Sequence, residues 1–189
     1  MVKTDKNKTA DKTEFQLTDD GASEHYRIVT SAHLAKSYPE LSEFEFGLII
    51  ASNAFQRWVI RCMNAAGAKD MTTLDILILH HVTHRGKGKR LADICFILNI
   101  EDTHLATYSL KKLLAAGLVA SEKKGKEVLY SITPEGEALC QHYKKIRESC
   151  LITSFSGSAE ERAQLADIAK FLRNLSGQYD QAARGASSY

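Results

Sequence analysis

The sequence predicts a mostly helical chain with one small antiparallel hairpin, α+β in class. Three observations predict it. Long segments on both sides of the centre carry apolar residues at steps of three and four. The period changes to strand-like in Leu118–Glu122 and Val128–Ile132. The join between those runs, Lys123-Lys124-Gly125-Lys126, places a glycine at a hairpin turn.

Taken in order, residues 1–20 alternate Lys, Asp, Thr and Asn with only Phe15 and Leu17 to bury, which predicts a disordered tail. Glu24–Ser37 is a short amphipathic piece ahead of the Tyr38-Pro39 break. A long helix is expected from Ser42, where Ser42 and Glu45 have capping-box spacing, to Gly67. Phe44, Leu48, Ala51, Phe55, Trp58 and Cys62 form its stripe, and Phe46, Ile49, Ile50 and Val59 widen that stripe beyond one face. A helix so broadly apolar has more than one apolar neighbour, its own core and a second copy of the chain.

Thr72 or Thr73 caps the next helix, apolar nearly all round through Val82 and ending in His84-Arg85-Gly86, hence central and buried. Lys87–Lys89 is a linker or short strand. Leu91, Ile94, Cys95 and Leu98 give a short helix, and Asn99-Ile100 turns into another from Asp102 to Ala116, ended by Gly117. After the hairpin, Thr133 with Pro134 opens a helix through Leu139, Tyr143, Ile146 and Cys150. Ser158 and Glu161 repeat the capping box for a last helix through Leu175, after which Gly177–Tyr189 reads as polar and frayed.

Composition restricts the function. Net charge is only +2 over 189 residues, so a nucleic-acid reading must rest on local charge. Between Arg85 and Thr133 nine Lys/Arg face five Asp/Glu, leaving that stretch at +4 and the remainder at −2. Cys62, Cys95, Cys140 and Cys150 are scattered and form no C-x-x-C pair, which favours a reduced cytoplasm. No apolar run reaches the roughly 18 residues of a membrane helix, and Met1–Asp20 does not read as a signal peptide. A cytoplasmic protein without membrane contact is expected. Gly-rich phosphate loops, G-x-S-x-G and H-E-x-x-H are all missing, so no enzyme and no cofactor are expected.

The helix from Asp102 to Ala116 carries the functional reading. Ala106, Ser109, Leu110 and Leu113 make one narrow apolar side. Thr103, His104, Thr107, Tyr108, Lys111 and Lys112 make the other: small donors and acceptors, an aromatic hydroxyl and cations, with no carboxylate after the first turn. That face suits double-stranded DNA, with its N-terminal half in the major groove and its amide end and lysines on phosphates. Leu105, if exposed, meets a thymine methyl. Lys123, Lys124 and Lys126 in the hairpin add backbone contacts. An ordinary solvated helix face is the bland alternative.

Helix, turn, helix and hairpin in this order make a winged helix-turn-helix. Leu105-Ala106-Thr107-Tyr108-Ser109-Leu110-Lys111-Lys112-Leu113-Leu114-Ala115-Ala116-Gly117-Leu118-Val119, then Ile132-Thr133-Pro134-Glu135-Gly136, resembles the MarR family of bacterial transcription regulators over roughly Leu41–Ser176. The resemblance implies a homodimer built from the first and last helices, two winged domains on a palindromic operator, and a small-molecule effector between the two regions. It departs in the wing, where the family commonly has Asp-x-Arg and this chain has lysines. Lysine is a poorer minor-groove probe than arginine.

The resulting organisation is a tail at 1–20, N-terminal helices contributing to dimerisation at 21–70, a winged helix-turn-helix at 71–133, C-terminal dimerisation helices at 134–178, and a flexible tail at 179–189. Trp58, Arg61 and His81 are candidate effector-pocket residues, against core packing for Trp58 and plain surface for Arg61. His80 and His84 share a helical face and raise metal sensing, but a helix-end cluster is the preferred reading and no metal is assigned. Cys62 raises a redox switch, against a small buried hydrophobe. A winged-helix protein-interaction module without DNA binding is the remaining alternative.

Overall fold

A computed structural model describes residues 38–84, 87–155 and 157–189. The tail expected at 1–20 and the amphipathic piece at 24–37 lie outside the described residues. The chain divides at Ile50 into two units. Of the first unit, 38–50 are described, and they open helix α1, Pro39–Ala66. That helix starts at Pro39, three residues before the expected Ser42. Proline lacks the amide that a first helical position leaves unbonded anyway, and its fixed φ suits the helix. The Leu41 amide donates to the Tyr38 carbonyl at 3.2 Å.

The second unit holds the core. From α1 only Val59, Cys62, Met63 and Ala66 are buried, so the expected stripe is core only in its last two turns, and Phe55 is exposed. Helix α2, Thr73–Thr83, is capped by Thr72: the Asp75 amide donates to Thr72 Oγ1 at 3.2 Å and the Thr72 amide to Asp75 Oδ2 at 2.8 Å. Ile76, Ile78, Leu79 and Val82 are fully buried, which makes α2 the central helix its all-round apolarity predicts.

Strand β1, Lys89–Arg90, leads into α3, Leu91–Ile97, and a turn into α4, Thr103–Ala115. Gly117, at φ 69°, ends α4: its amide bonds to Leu114 O and the Leu118 amide to Leu113 O, both at 3.0 Å. This pair of bonds is the Schellman stop, which needs a left-handed residue after the cap. Strands β2, Val119–Lys124, and β3, Glu127–Ile132, form the hairpin, and β1 joins it in the order β1-β3-β2, all antiparallel.

Helix α5, Pro134–Cys150, starts from Thr133, whose Oγ1 accepts from the Gly136 amide at 3.1 Å and donates to Gly117 O at 2.8 Å. One hydroxyl thus joins the end of α4 to the start of α5. After a 3-10 turn at Ile152–Ser154, α6 runs from Ala159 to Ala186 behind the Ser158–Glu161 capping box. It continues through Gly177 instead of fraying there. Ala182, Ala183 and Ala186 are strong helix formers, no proline interrupts, and Arg184 donates to Gln181 at 2.9 Å. Among the described residues no helix is long and apolar enough to cross a membrane.

Candidate nucleic-acid interface

Helix α4 is oriented by what it buries. Ala106, Ser109, Leu110 and Leu113 are at most 2% exposed, and they pack in the core that α2 and α3 share. Fully burying Leu110 and Leu113 contributes about 2 kcal/mol each. That burial turns Thr103, His104, Leu105, Tyr108 and Lys111 outward, with Thr107 half-buried. The amide end differs from expectation. Asp102 Oδ1 accepts from the His104 amide at 2.8 Å, so a carboxylate already occupies part of the place expected for a phosphate.

Lys112 faces inward from the rim of this helix. Its Nζ lies 2.9 Å from Asp75 Oδ2 and also bonds the Asp70 carbonyl. Asp75 is 1% exposed. Burial alone would raise its carboxyl's pKa, but the bonds from Lys112, Ser109 and Thr72 together hold it below its ordinary value. A single carboxylate therefore caps α2 and anchors α4 through two of its side chains. Spacing alone groups Lys112 with the DNA contacts, because it gives a residue's face and not the reach of a long side chain.

The hairpin presents its lysines outward. Lys124 pairs with Glu127 across a two-residue Gly125-Lys126 turn, so Lys123 and Lys124 lie in β2 and only Lys126 is at the tip. Lys111, Lys123, Lys124 and Lys126 are exposed and form no ion pair among the described residues. The turn end of the hairpin is tied to α3 by Arg90, whose role its charge alone does not show. Its Nε and Nη2 donate to Asp93 at 2.9 and 2.8 Å, and its Nη1 to Glu127 at 3.1 Å. The guanidinium thus joins the start of α3 to the start of β3.

Comparison with known proteins agrees with this geometry. Residues 71–136 match the family of winged helix DNA-binding domains. No curated protein matches the chain by sequence. A MarR-family transcriptional regulator from Rhodococcus sp. RHA1 superposes with a TM-score of 0.59 at 16% identity, covering 70% of this chain and 94% of that one. A MarR transcriptional regulator from Methanosarcina mazei Go1 gives 0.58 at 17%, covering 72% and 91%. The chain has the fold of the MarR-family regulators. BpsR of Bordetella bronchiseptica, whose DNA binding is regulated by 6-hydroxynicotinic acid, gives 0.51 at 21%, covering 66% and 91%.

On this MarR-type fold the other candidate residues are dispersed. Trp58 packs against the core, Arg61 is exposed, and His81 is half-buried, its pKa lowered by burial and then by Lys89. A concavity of about 660 Å³ lies elsewhere, between Ile152, Phe155, Arg162, Leu165 and Ile168. His80 stacks edge-on against Tyr143 at 4.5 Å, and His84 is the exposed C-cap of α2. Among the described residues no three His, Cys, Asp or Glu side chains are grouped to hold a metal. Cys62 is buried, its thiol 3.6 Å from the Tyr143 carbonyl and its pKa raised by burial and then by Cys150. A thiol so held is a poor nucleophile, which disfavours a redox switch at Cys62 itself.

Proposed function

We propose that the chain is a sequence-specific DNA-binding transcription regulator, bacterial and cytoplasmic, working as a homodimer on a palindromic operator. The observation that carries this reading is the outward face of α4. Its six exposed or half-exposed side chains from Thr103 to Lys111 stand beside a hairpin with three exposed lysines, inside the stretch that matches winged helix DNA-binding domains. Helix α4 enters the major groove, Lys111 meets phosphate, and Lys123, Lys124 and Lys126 follow the backbone. Lys112 is assigned to holding α4 in place.

Exposed apolar side chains support pairing of two copies. Leu165 and Ile168 on α6 are each 52% exposed, and Ile49 on α1 is 57% exposed. Such residues on long helices fit an interface better than water. A small-molecule effector completes the reading, as for BpsR. It acts by binding better to a state whose two recognition helices no longer match the DNA, and only that difference in affinity counts. Gel shift with a random genomic fragment pool tests DNA binding: a retarded complex that dissolves with added salt is expected. A protein that shifts nothing at low salt is instead a protein-interaction module.

A further inference from the structure

We propose that Leu105 and Tyr108 read thymine methyl groups, so that this chain selects its DNA mainly through apolar contacts to C5-methyls. The inference rests on the DNA-binding reading above and specifies what α4 recognises. Leu105 is 55% and Tyr108 71% exposed, and three residues apart on a helix they share one face. Every other large apolar side chain of α4 is buried or half-buried in the core: Leu110, Leu113 and Leu114. An outward leucine beside an outward tyrosine is therefore a local exception to the helix's own pattern.

What is missing from the same face narrows the partner. Thr103–Lys112 contains no arginine, asparagine or glutamine. Those side chains make the two-pronged bonds that identify guanine and adenine, lysine being the other guanine reader. Of the two lysines, Lys112 is bonded to Asp75 and Lys111 stands in the third turn. The Thr107 hydroxyl donates to the Thr103 carbonyl at 2.8 Å, which spends its hydrogen on the helix backbone. Thr103, His104, Lys111 and the Tyr108 hydroxyl remain as donors for single hydrogen bonds, and Thr107 Oγ1 only as an acceptor.

The major groove displays one apolar group, the C5-methyl of thymine. The surroundings favour that occupant over an apolar protein surface. Lys111 stands on the same helix and Lys123, Lys124 and Lys126 on the hairpin, all exposed and without ion pairs among the described residues. Cations beside an apolar pair fit a polyanion that carries methyl groups. Leu105 then packs on a methyl, and the Tyr108 ring covers a neighbouring one.

The test removes the methyl and nothing else. A duplex selected from a random pool by the full-length protein is resynthesised with uracil for every thymine, which keeps each hydrogen-bonding group of the base. Each lost methyl contact should weaken binding about 4-fold, from the transfer free energy of one carbon. Leu105→Ala should bind the thymine duplex more weakly and be less sensitive than wild type to the uracil exchange. Leu105→Met, which keeps an apolar reach, should retain most of the sensitivity. Equal circular dichroism and melting of the variants with wild type separate recognition from folding. Wild type that binds the two duplexes within about 2-fold, less than one methyl contact is worth, overturns the inference and leaves DNA binding standing. Failure to select any duplex instead overturns the DNA-binding reading, and this inference with it.

Discussion

Lys112 Nζ lies 2.9 Å from Asp75 Oδ2, and Asp75 is 1% exposed while the lysine side chain is 36% exposed. Removing one partner of a fully buried pair costs about 3–5 kcal/mol, because the other charge is left without compensation. Here water reaches the lysine, and Thr72 and Ser109 still bond the carboxylate. Lys112→Met should therefore destabilise the fold by about 2 kcal/mol in urea denaturation, below the fully buried range. A loss under about 0.5 kcal/mol, the size of a plain surface substitution, would show the pair to be incidental.

The same carboxylate sets an acid limit. Its folded pKa lies below the unfolded value of about 3.9. The stabilisation is therefore complete above about pH 4 and is lost as pH falls through the folded value. Stability measured between about pH 5 and pH 2 should fall more steeply for wild type than for Asp75→Asn, which has no proton to take up there. Parallel curves would mean that Asp75 does not titrate with unfolding.

His80 acts nearer neutrality. Burial, and then Arg147, hold its pKa below the ordinary histidine value of about 6.5. Between that value and the lower folded one, the unfolded chain binds a proton that the folded chain does not, so stability rises with pH across the window. His80→Gln should flatten this part of the profile between about pH 5 and pH 7, leaving the contribution of His81, whose pKa is also lowered. An unchanged slope would place the titration elsewhere.

Lys111 and Lys112 are neighbours in sequence with opposite assignments. Lys111→Ala should weaken binding to all DNA sequences and lower the salt slope by about 1, as loss of one phosphate contact does. Lys112→Met should leave the salt slope unchanged at conditions where it remains folded. Reversed results would exchange their roles.

Gly136 begins α5 against the hairpin. A Cβ there would stand 2.1 Å from Leu118 O and 2.6 Å from Ile132 Cδ1. The backbone carbonyl cannot give way as a side chain does, so Gly136→Ala should cost about 3 kcal/mol, the upper end for overpacking. A melting temperature within a degree or two of wild type would show that the segment shifts freely.

Much of this was legible from periodicity and caps. Ala106, Ser109, Leu110 and Leu113, the stripe expected on α4, are the residues it buries, because a 3.6-residue period fixes a helical face before any tertiary contact is known. Thr72, Thr133, Ser158 and Gly117 stop and start helices as their chemistry dictates. What escaped was long-range and made by flexible or locally ambiguous residues. Lys112 reaches Asp75 across 37 positions, and Arg90 reaches Glu127 across the same separation. Neither pairing has a local signal. Periodicity does not locate the start of α1, because a proline that breaks a preceding segment also suits a first helical position, and it does not carry α6 past Gly177, a helix-weakening residue outweighed by the alanines after it.

The central claim is that two copies of α4 read a two-fold symmetric operator. Its most direct test is selection of bound fragments from random duplex DNA by the purified full-length protein, followed by sequencing. The account predicts an enriched inverted repeat whose half-site centres lie about 10 base pairs, or 34 Å, apart. DNA retained without any enriched palindrome would contradict it.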